Sequence, residues 1–406
     1  MRNKLALVIL ALLLLVTTSA CDSSAERSAG STMGKPDSKP TANEYNETLN
    51  KNTYGVKINN ETYDITKLVF SQNEHIDFIH NLDKDRLFIA ADNRDSNEPN
   101  KKFTVKIFNI NKGNIEKQIS FEKASPLYRF MPLAKGFYVI EETAFSNDKE
   151  VIYHLYDSEL NPKGKIDLTQ IVRNTHLYPA VSNDMSMLAY VETTSKTAIY
   201  TCDLNLNNKK KIYETEQNHL NQLSFFPNLS FVKGDKKIAF VGNTYISNDI
   251  QPTALGVVNI DGGEVTYKEH DGLNNNIQEI TGKTFFYDAF ADRGKQSSGK
   301  VFLLDNTQNT LNEFGLQDCN ESQRAVISDE GNFIVTILAG KPQNGQSIYR
   351  FRTYDIKTGR IIKEFDFTFE SKDSGIFDFI ANESGNGIYA VCRVDSEMKL
   401  YKYALR

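Results

Sequence analysis

The sequence contains little of what several functional classes need. Its 406 residues include no tryptophan and only 4 cysteines, which argues against the disulfide framework of small secreted domains. With 47 basic and 52 acidic residues the formal net charge is -5, and nothing in this balance favours nucleic acid as a partner. The longest apolar run, Leu5–Val16, is also shorter than the roughly 20 residues needed to cross a bilayer.

Residue patterns of catalysis and of metal binding are missing as well. The sequence has no GxSxG and no HExxH motif. Its six histidines are dispersed without metal-ligand spacing, at His75, His80, His154, His176, His219 and His270. A metal site assembled from distant parts of the chain stays an open alternative, because such ligand sets are spatial. We therefore predict no cofactor and no metal, and we interpret Cys202, Cys319 and Cys392 as small buried side chains.

The first twenty residues have the features of a bacterial export signal. Arg2 and Lys4 precede the apolar run, and Thr18-Ser19-Ala20-Cys21 follows it. This tetrapeptide resembles the lipobox of bacterial lipoproteins, apart from Thr18 at a position where the family usually has leucine. The resemblance implies that residues 1–20 are removed and that the thiol of Cys21 carries a lipid. It predicts a protein anchored through lipid to the extracytoplasmic side of the cell membrane; an ordinary secretory signal is the alternative.

Residues 21–52 are typical of a lipidated flexible linker. Ser, Lys, Asn, Thr, Glu and Pro dominate this stretch, and apolar periodicity is almost absent. Such a composition predicts disorder. The linker would hold the domain that follows it away from the membrane surface.

From residue 53 onward a repeated unit organises the sequence. In its clearest copy, residues 176–216, four short apolar runs alternate with turns: Leu177–Val181, Met187–Val191, Ala198–Leu204 and Lys211–Glu214. β-branched and aromatic residues fill the runs, and Asn and Asp separate them, which predicts four antiparallel strands. Four strands in about forty residues are typical of one blade of a β-propeller.

Equivalents of Leu188, in the second strand of this copy, recur at a near-constant spacing. They lie at intervals of 47 to 55 residues, at Leu87, Phe137, Ile238, Phe285, Phe333 and Ile388. Such spacing indicates repeated units that are each too small to bury their own apolar faces. We count seven units.

The seventh unit has three strands, and a segment near the N-terminus could supply the fourth. Tyr63–Val69 belongs to no unit and is similar to Ile166–Val172, the predicted fourth strand of the second unit. We therefore predict an all-β fold: a seven-bladed β-propeller over residues 53–406, closed by an N-terminal strand and preceded by a lipoprotein signal and a disordered tether. Closure leaves no long unpaired strand edge; an open stack of sheets or two domains is the alternative.

Part of the best-formed unit resembles the TolB-type propeller repeat. The match rests on Pro179, Ser182, Asp184, Ile199, Tyr200, Asp203 and Leu204. Met185 stands where the family pattern has glycine, and Ile327–Gly331 with Tyr354-Asp355 forms a second, partial copy. The resemblance implies a bacterial envelope propeller of the WD40-like kind that works through protein contacts, although enzymes share the repeat.

The loops between the predicted strands are unequal in length. Four second-to-third segments are long, 92–102, 242–253, 291–299 and 338–346, whereas the other turns are short. In a propeller these segments open on one face, and long loops on a rigid scaffold usually carry the contacts; solvated spacers are the alternative. Mixed charge with an aromatic side chain suits a polar contact, so the candidate partner-binding residues are Arg94, Asp95, Tyr245, Asp249, Arg293, Lys341 and Gln343.

Two functions fit these features. The first is a non-enzymatic binding or assembly module for an envelope protein, peptide or polymer, in the form of a monomeric propeller. The second is an exported propeller enzyme, a hydrolase or lyase acting on cell-wall or extracellular glycans. The absence of tryptophan platforms and of catalytic motifs favours the first.

Overall fold

A computed structural model describes most of the chain between residues 43 and 405. The described residues are 43–48, 50–58, 61–69, 74–92, 102–122, 127–143, 150–175, 177–193, 196–215, 229–232, 234–243, 252–263, 265–271, 275–280, 283–288, 300–305, 310–318, 324–328, 331–339, 348–368, 374–381, 387–394 and 397–405. The predicted signal, Cys21 and the linker up to residue 42 lie outside them, as does most of each long second-to-third segment.

Thirty strands and one short helix make up the secondary structure of the described residues, and the strands form seven antiparallel sheets. The N-terminal strands are β1 (Asn43–Thr48), β2 (Asn50–Ile58) and β3 (Glu61–Val69). Sheet I contains β4 (His75–Asn81), β5 (Arg86–Asp92), β6 (Lys102–Asn109) and β7 (Asn114–Glu122), with β1 added outside β7. Sheet II contains β8 (Leu127–Leu133), β9 (Gly136–Glu142), β10 (Val151–Asp157) and β11 (Pro162–Asp167).

The remaining sheets repeat this four-stranded order. Sheet III contains β12 (Ala180–Val181), β13 (Met187–Thr193), β14 (Thr197–Asp203) and β15 (Lys210–Thr215). Sheet IV contains β16 (Leu229–Phe231), β17 (Lys237–Asn243), β18 (Pro252–Asn259) and β19 (Val265–Asp271). Sheet V contains β20 (Asn275–Ile280), β21 (Lys283–Asp288), β22 (Lys300–Asp305) and β23 (Thr310–Gly315). Sheet VI contains β24 (Arg324–Ile327), β25 (Phe333–Ala339), β26 (Ile348–Asp355) and β27 (Ile361–Thr368). Sheet VII contains β28 (Ser374–Ala381), β29 (Gly387–Val394) and β30 (Glu397–Leu405), followed by β3 and then β2.

The strand positions predicted from the repeat are confirmed. The four runs of residues 176–216 correspond to β12, β13, β14 and β15, and Leu188 and its six equivalents each lie in the second strand of a sheet. The N-terminal segment Tyr63–Val69 pairs antiparallel with β30, from Tyr63 opposite Leu405 to Val69 opposite Lys399. It therefore occupies the fourth position of sheet VII, as predicted; the number of blades and the closure of the whole ring stay predictions.

Two predicted segments differ from the structure. Ile166–Val172 is not a strand: β11 ends at Asp167, and a helix, α1 (Thr169–Thr175), follows. The Asp167 carboxylate accepts a hydrogen bond from the amide of Thr169 at 3.0 Å, which caps the helix N-terminus. Leu168 and Val172, four residues apart, are both fully buried. The prediction was wrong because a short apolar run in a sequence is compatible with a helix as well as with a strand.

No helix in the described part of the chain is long and apolar enough to cross a membrane.

The other difference concerns the linker. Its last ten residues include β1 and the start of β2, so strand structure begins before the predicted boundary at residue 53. β1 has the polar sequence NEYNET and no apolar alternation. Its strand conformation comes from pairing with the edge of β7. Pairing with a distant strand leaves no pattern in the sequence of β1 itself, so the strand could not be predicted.

A serine turn carries the resemblance to the TolB-type repeat. The Ser182 hydroxyl accepts hydrogen bonds from the amides of Ser186 and Met187 at 3.0 and 2.8 Å. Met185 adopts a left-handed φ of 59°, the conformation for which the family pattern has glycine. In the second copy, the Ser328 hydroxyl accepts a hydrogen bond from the amide of Phe333 at 3.1 Å. Gly331 occupies the position that corresponds to Met185 and has a left-handed φ of 69°. The two copies therefore share one turn geometry.

The core is divided among the interfaces between consecutive sheets. Buried apolar clusters join sheets I and II, II and III, III and IV, V and VI, and VI and VII, and β17 contacts β20 between sheets IV and V. A further cluster joins sheet VII to sheet I, with Leu400 packed in the same cluster as Ile89. Sheets I, II, III, VI and VII thus each contribute buried side chains to two of these clusters, one shared with each neighbouring sheet.

Candidate binding surface

The predicted rim residues do not fall within the structure's described ranges. Arg94, Asp95, Tyr245, Asp249, Arg293, Lys341 and Gln343 all lie outside them, as does Cys21. The strands from which the rim segments leave are described, and β5, β17 and β25 end at Asp92, Asn243 and Ala339. In sheets I, II and VII the end of the second strand pairs with the start of the first. We call this side of each sheet its loop end.

At the loop ends of sheets I and VII, the two first strands carry a β-bulge at matching places. The register shifts between Ile76 and Phe78 in β4 and between Ile376 and Asp378 in β28. A bulge inserts an unpaired residue and changes the direction of its side chain. The inserted residues are Asp77 and Phe377, and Phe377 is 42% exposed, one of three large apolar side chains exposed in the described residues.

His75 connects the two bulges. Its ring meets that of Phe377 edge to face, with centroids 5.2 Å apart. Its Nε2 lies 3.5 Å from Oδ1 of Asp77, and both side chains keep part of their surface exposed. His75 and Phe377 lie about 300 positions apart in the sequence, and the contact between β4 and β28 brings them together.

Two further ionisable groups lie in sheet I, His80 near the opposite end of β4 and Lys106 in β6. Burial lowers the pKa of His80 to about 4, so this imidazole is neutral at physiological pH. The buried ammonium of Lys106 forms an ion pair with Glu74, one residue before β4. Its charge is therefore compensated within the protein.

The loop end of sheet II holds a first polar chain, at the interface with sheet I. His154 Nε2 lies 2.6 Å from Oε2 of Glu141. The Tyr128 hydroxyl lies 3.3 Å from Oε1 of Glu141 and 3.1 Å from the Glu122 carbonyl oxygen, and its one proton can be donated to either acceptor. The hydrogen bond from His154 holds the pKa of Glu141 below its ordinary value. His154 is 4% exposed and packs edge to face on Phe121 of sheet I. The pair is thus held between two sheets.

A second polar chain lies on the opposite face of sheet II, against sheet III. The Tyr178 hydroxyl donates to the buried carboxylate of Glu142, and the Arg129 guanidinium lies 4.8 Å above the Tyr178 ring. Burial raises the pKa of Tyr178 well above its ordinary value. The Tyr153 hydroxyl donates to the Pro179 carbonyl at 2.9 Å. Adjacent carboxylates, Glu141 and Glu142, therefore lie on opposite faces of sheet II: Glu141 is bound within sheet II on the side of sheet I, and Glu142 is bound by Tyr178 on the side of sheet III.

The described residues offer little reactive chemistry. No group of three or more potential metal ligands occurs among them. Cys202 and Cys392 are unpaired and buried, as predicted, and burial raises the pKa of Cys202 to about 11, which keeps it a thiol. Cys319 lies outside the described residues. The carboxylates near the loop ends of sheet II are engaged by protein groups, whereas Phe377 presents an exposed ring.

Sequence reasoning missed this surface. Asp77-Phe78-Ile79-His80-Asn81 and Asp378-Phe379-Ile380-Ala381-Asn382 share the pattern D-F-I-x-N. The strand register offsets this pattern by one residue, because Asn81 pairs with Leu87 whereas Ala381 pairs with Ile388, the equivalent of Leu87. The bulges themselves are properties of register between strands, which a single sequence does not show.

The chain is similar to known proteins at the level of fold. No protein-family model matches it, and no curated protein does. Among solved structures, oligogalacturonate lyase from Vibrio parahaemolyticus is 12% identical, with TM-score 0.50 over 89% of this chain and 98% of that one. The β-propeller domain of the Trilobed protease from Pyrococcus furiosus is 13% identical, with TM-score 0.43 over 67% and 79%. The β-propeller domain of Myceliophteria thermophila Cps50 (Swd1) is 9% identical, with TM-score 0.44 over 89% and 100%.

At these identities the similarity concerns the fold alone. Together with the repeated four-stranded sheets, it defines the chain as an all-β protein with a β-propeller fold. The neighbour with TM-score 0.50 is a lyase, so the fold does not exclude an enzyme.

Proposed function

We propose that this chain is a lipid-anchored bacterial envelope protein whose seven-bladed propeller binds an envelope protein, peptide or cell-wall polymer without chemical turnover. The anchor is Cys21, placed after a signal of residues 1–20. The propeller would act on the extracytoplasmic side, held from the membrane by the linker. Its partner would contact the loop ends of the sheets, where the predicted rim segments leave.

Closure of the ring is supported by the junction between the first and last sheets. A buried cluster joins sheets VII and I, and the Asn81 side chain donates to the Ala381 carbonyl at 3.1 Å. The pairing of β3 with β30 supplies the fourth strand of sheet VII from the N-terminal side. Six interfaces with buried clusters, together with the contact between β17 and β20 at the seventh, favour seven blades in one ring.

The observation that carries the binding function is the exposed ring of Phe377 beside His75 and Asp77. The bulge places the Phe377 ring in solvent, and exposing an apolar ring to water is unfavourable for an isolated protein. Exposed aromatic side chains of this kind serve as anchors at interfaces. Polar groups at the rim of such an anchor are typical of protein and polymer contacts. Glu141 and Glu142, the carboxylates that could serve acid–base chemistry, are bound instead to His154 and Tyr178.

Capture from native membranes tests this proposal. The anchored protein is crosslinked in its own cells, and the yield of each crosslinked partner is compared for the parent, Phe377→Ala and Asp77→Asn. Ile362→Ala is the matched control, because Ile362 is 47% exposed but lies in β27, an outer strand. We expect the Phe377 variant to lose about tenfold in capture and the control to lose nothing.

The rim residues are tested in the same assay. Tyr245→Ala and Arg293→Ala are expected to weaken capture, and Lys357→Glu, in a tight turn of sheet VI, is expected to leave it unchanged. Equal losses from Ile362→Ala or Lys357→Glu would contradict the assignment of the surface. Release of products from cell-wall or extracellular glycans by the purified protein would instead support the alternative, an exported propeller enzyme.

A further inference from the structure

Two consecutive strands at the N-terminus belong to different sheets. β1 adds to the outside of β7 in sheet I, and β2 adds to the outside of β3 in sheet VII. One residue separates them: Thr48 pairs with Asn114, and Asn50 pairs with Val69. Among the described residues, sheets II to VI contain four strands each. A fifth strand is therefore specific to sheets I and VII, the first and last sheets in the sequence.

The single connecting residue sets a distance. Thr48 and Asn50 are two Cα steps apart, at most about 7 Å, and a paired strand lies about 5 Å away. The start of β7 and the end of β3 can therefore be no more than about 17 Å apart. The outer edges of sheets I and VII are thus held together by backbone pairing, in addition to the buried cluster that joins the two sheets.

Sheet VII is assembled from both ends of the described chain, β2 and β3 from the N-terminal side and β28, β29 and β30 from the C-terminal side. β3 is joined to β4 of sheet I through residues 70–74 of the chain, whereas β30 reaches β3 through pairing alone, at seven positions. Whether β30 can pair depends on where β3 is held. A strand fixed before it is paired loses less conformational entropy on pairing.

We propose that β1 and β2 act as a strap that holds β3 against sheet I and so presents it to β30. β2 is the firm half of the strap, because it pairs with β3 at nine positions without a register shift. β1 is the weak half: its four pairs with β7 include an irregularity between Glu44 and Glu47. Detaching β1 leaves the β2–β3 pair intact but removes the backbone pairing that ties it to the outer edge of sheet I, so that β3 is held there only by its connection to β4 and by the packing of Leu68.

β1 and the start of β2 occupy the last ten residues of the predicted linker. On the proposed function, the lipid anchor and residues 22–42 precede β1, so a pull on these residues acts on β1 before any other strand. Terminal strands open locally at a lower free energy than core strands. The stability of the closing pair β3–β30 is then coupled to the segment that anchors the protein.

Backbone hydrogen exchange tests the strap in the purified full chain. Deletion of residues 43–48 removes β1, and deletion of residues 30–35 from the predicted linker is the control of equal length. We expect amides of β3 and β30 to exchange at least tenfold faster in the first variant and to remain unchanged in the control. β15 of sheet III is an internal reference, because it is an outer strand that the strap does not touch. Faster exchange confined to β7 would overturn the proposal, because β1 would then protect only its own edge.

A crosslink provides the converse measurement. In the variant Thr48→Cys/Asn114→Cys, the new cysteines occupy paired positions, and their disulfide fixes β1 to β7. Oxidation is expected to slow exchange in β3 and β30 several-fold relative to the reduced form, and neither single variant should respond. No change on oxidation would also overturn the proposal. Neither measurement depends on the lipid anchor, so failure of the strap and failure of the proposed function are distinguishable.

Discussion

The carboxylate of Asp378 accepts a hydrogen bond from the backbone amide of Ile79, 299 positions away in the sequence, at 2.9 Å. The two residues lie in first strands, β28 of sheet VII and β4 of sheet I, and Asp378 is 2% exposed. The other oxygen of the carboxylate accepts from the amide of Phe379 at 2.9 Å. One buried carboxylate thus satisfies an amide from each sheet and fixes how the two first strands meet.

Asp378→Ala is expected to lower the free energy of unfolding by about 1–3 kcal/mol, because it leaves a buried amide without this acceptor. Asp378→Asn should lower it less, since the amide oxygen can still accept. Urea unfolding of the purified chain measures both. Asp261→Asn is the control, on a side chain that is 95% exposed and expected to contribute little. A loss as large in the control as in Asp378→Ala would contradict this account of the junction.

The sequence predicts features that depend on neighbouring residues and misses those that depend on pairing between distant strands. The Asp203 carboxylate accepts from the amides of Asn205 and Asn207, both at 2.9 Å, and such turns are local, so their residues are visible in the sequence. The spacing of the second strands is likewise a property of the sequence and predicted all seven sheets' positions. The bulges at Asp77 and Phe377 were missed because they depend on register between strands. The strand β1 was missed because its polar residues gain structure only from the edge of β7.

The close approach at Gly136 gives a second prediction. A Cβ on this residue would lie 2.1 Å from the backbone oxygen of Tyr156, in the paired strand β10, and 2.6 Å from the Cε of Met185. The backbone oxygen cannot move without breaking the pairing of β9 with β10, so Gly136→Ala is expected to cost about 1–3 kcal/mol in unfolding free energy.

Gly315→Ala provides the comparison for this substitution. Gly315 ends β23, and a Cβ there would meet nothing within 4 Å. Thermal unfolding of the two variants should show a clear decrease in Tm for Gly136→Ala and almost none for Gly315→Ala. Similar values would mean that sheet II tolerates the added methyl group by shifting β10.

The lipid anchor gives a third prediction. Cys21→Ser should abolish labelling with palmitate and leave the unprocessed precursor, because a serine hydroxyl cannot form the thioether. Cys202→Ser is the control: its thiol is buried in the propeller and should not affect processing. Labelling and gel mobility of the protein expressed in its host measure both. A Cys21→Ser chain that is still processed and still labelled would show that the signal is not a lipoprotein signal.

The pair of Glu141 and His154 predicts a dependence of stability on acid. Because the hydrogen bond from His154 keeps the pKa of Glu141 below its ordinary value of 4.5, the ionised carboxylate stabilises the folded state. This contribution is fully present above the unfolded pKa and is lost as the pH falls through the lower folded pKa. Glu141→Gln should therefore be less stable than the parent near pH 6, and the difference should shrink on acidification to about pH 3. Urea unfolding at a series of pH values measures it, with Glu150→Gln, an exposed carboxylate, as the control. A difference between parent and Glu141→Gln that stays constant or grows on acidification would show that Glu141 stabilises the interface by packing and not by charge.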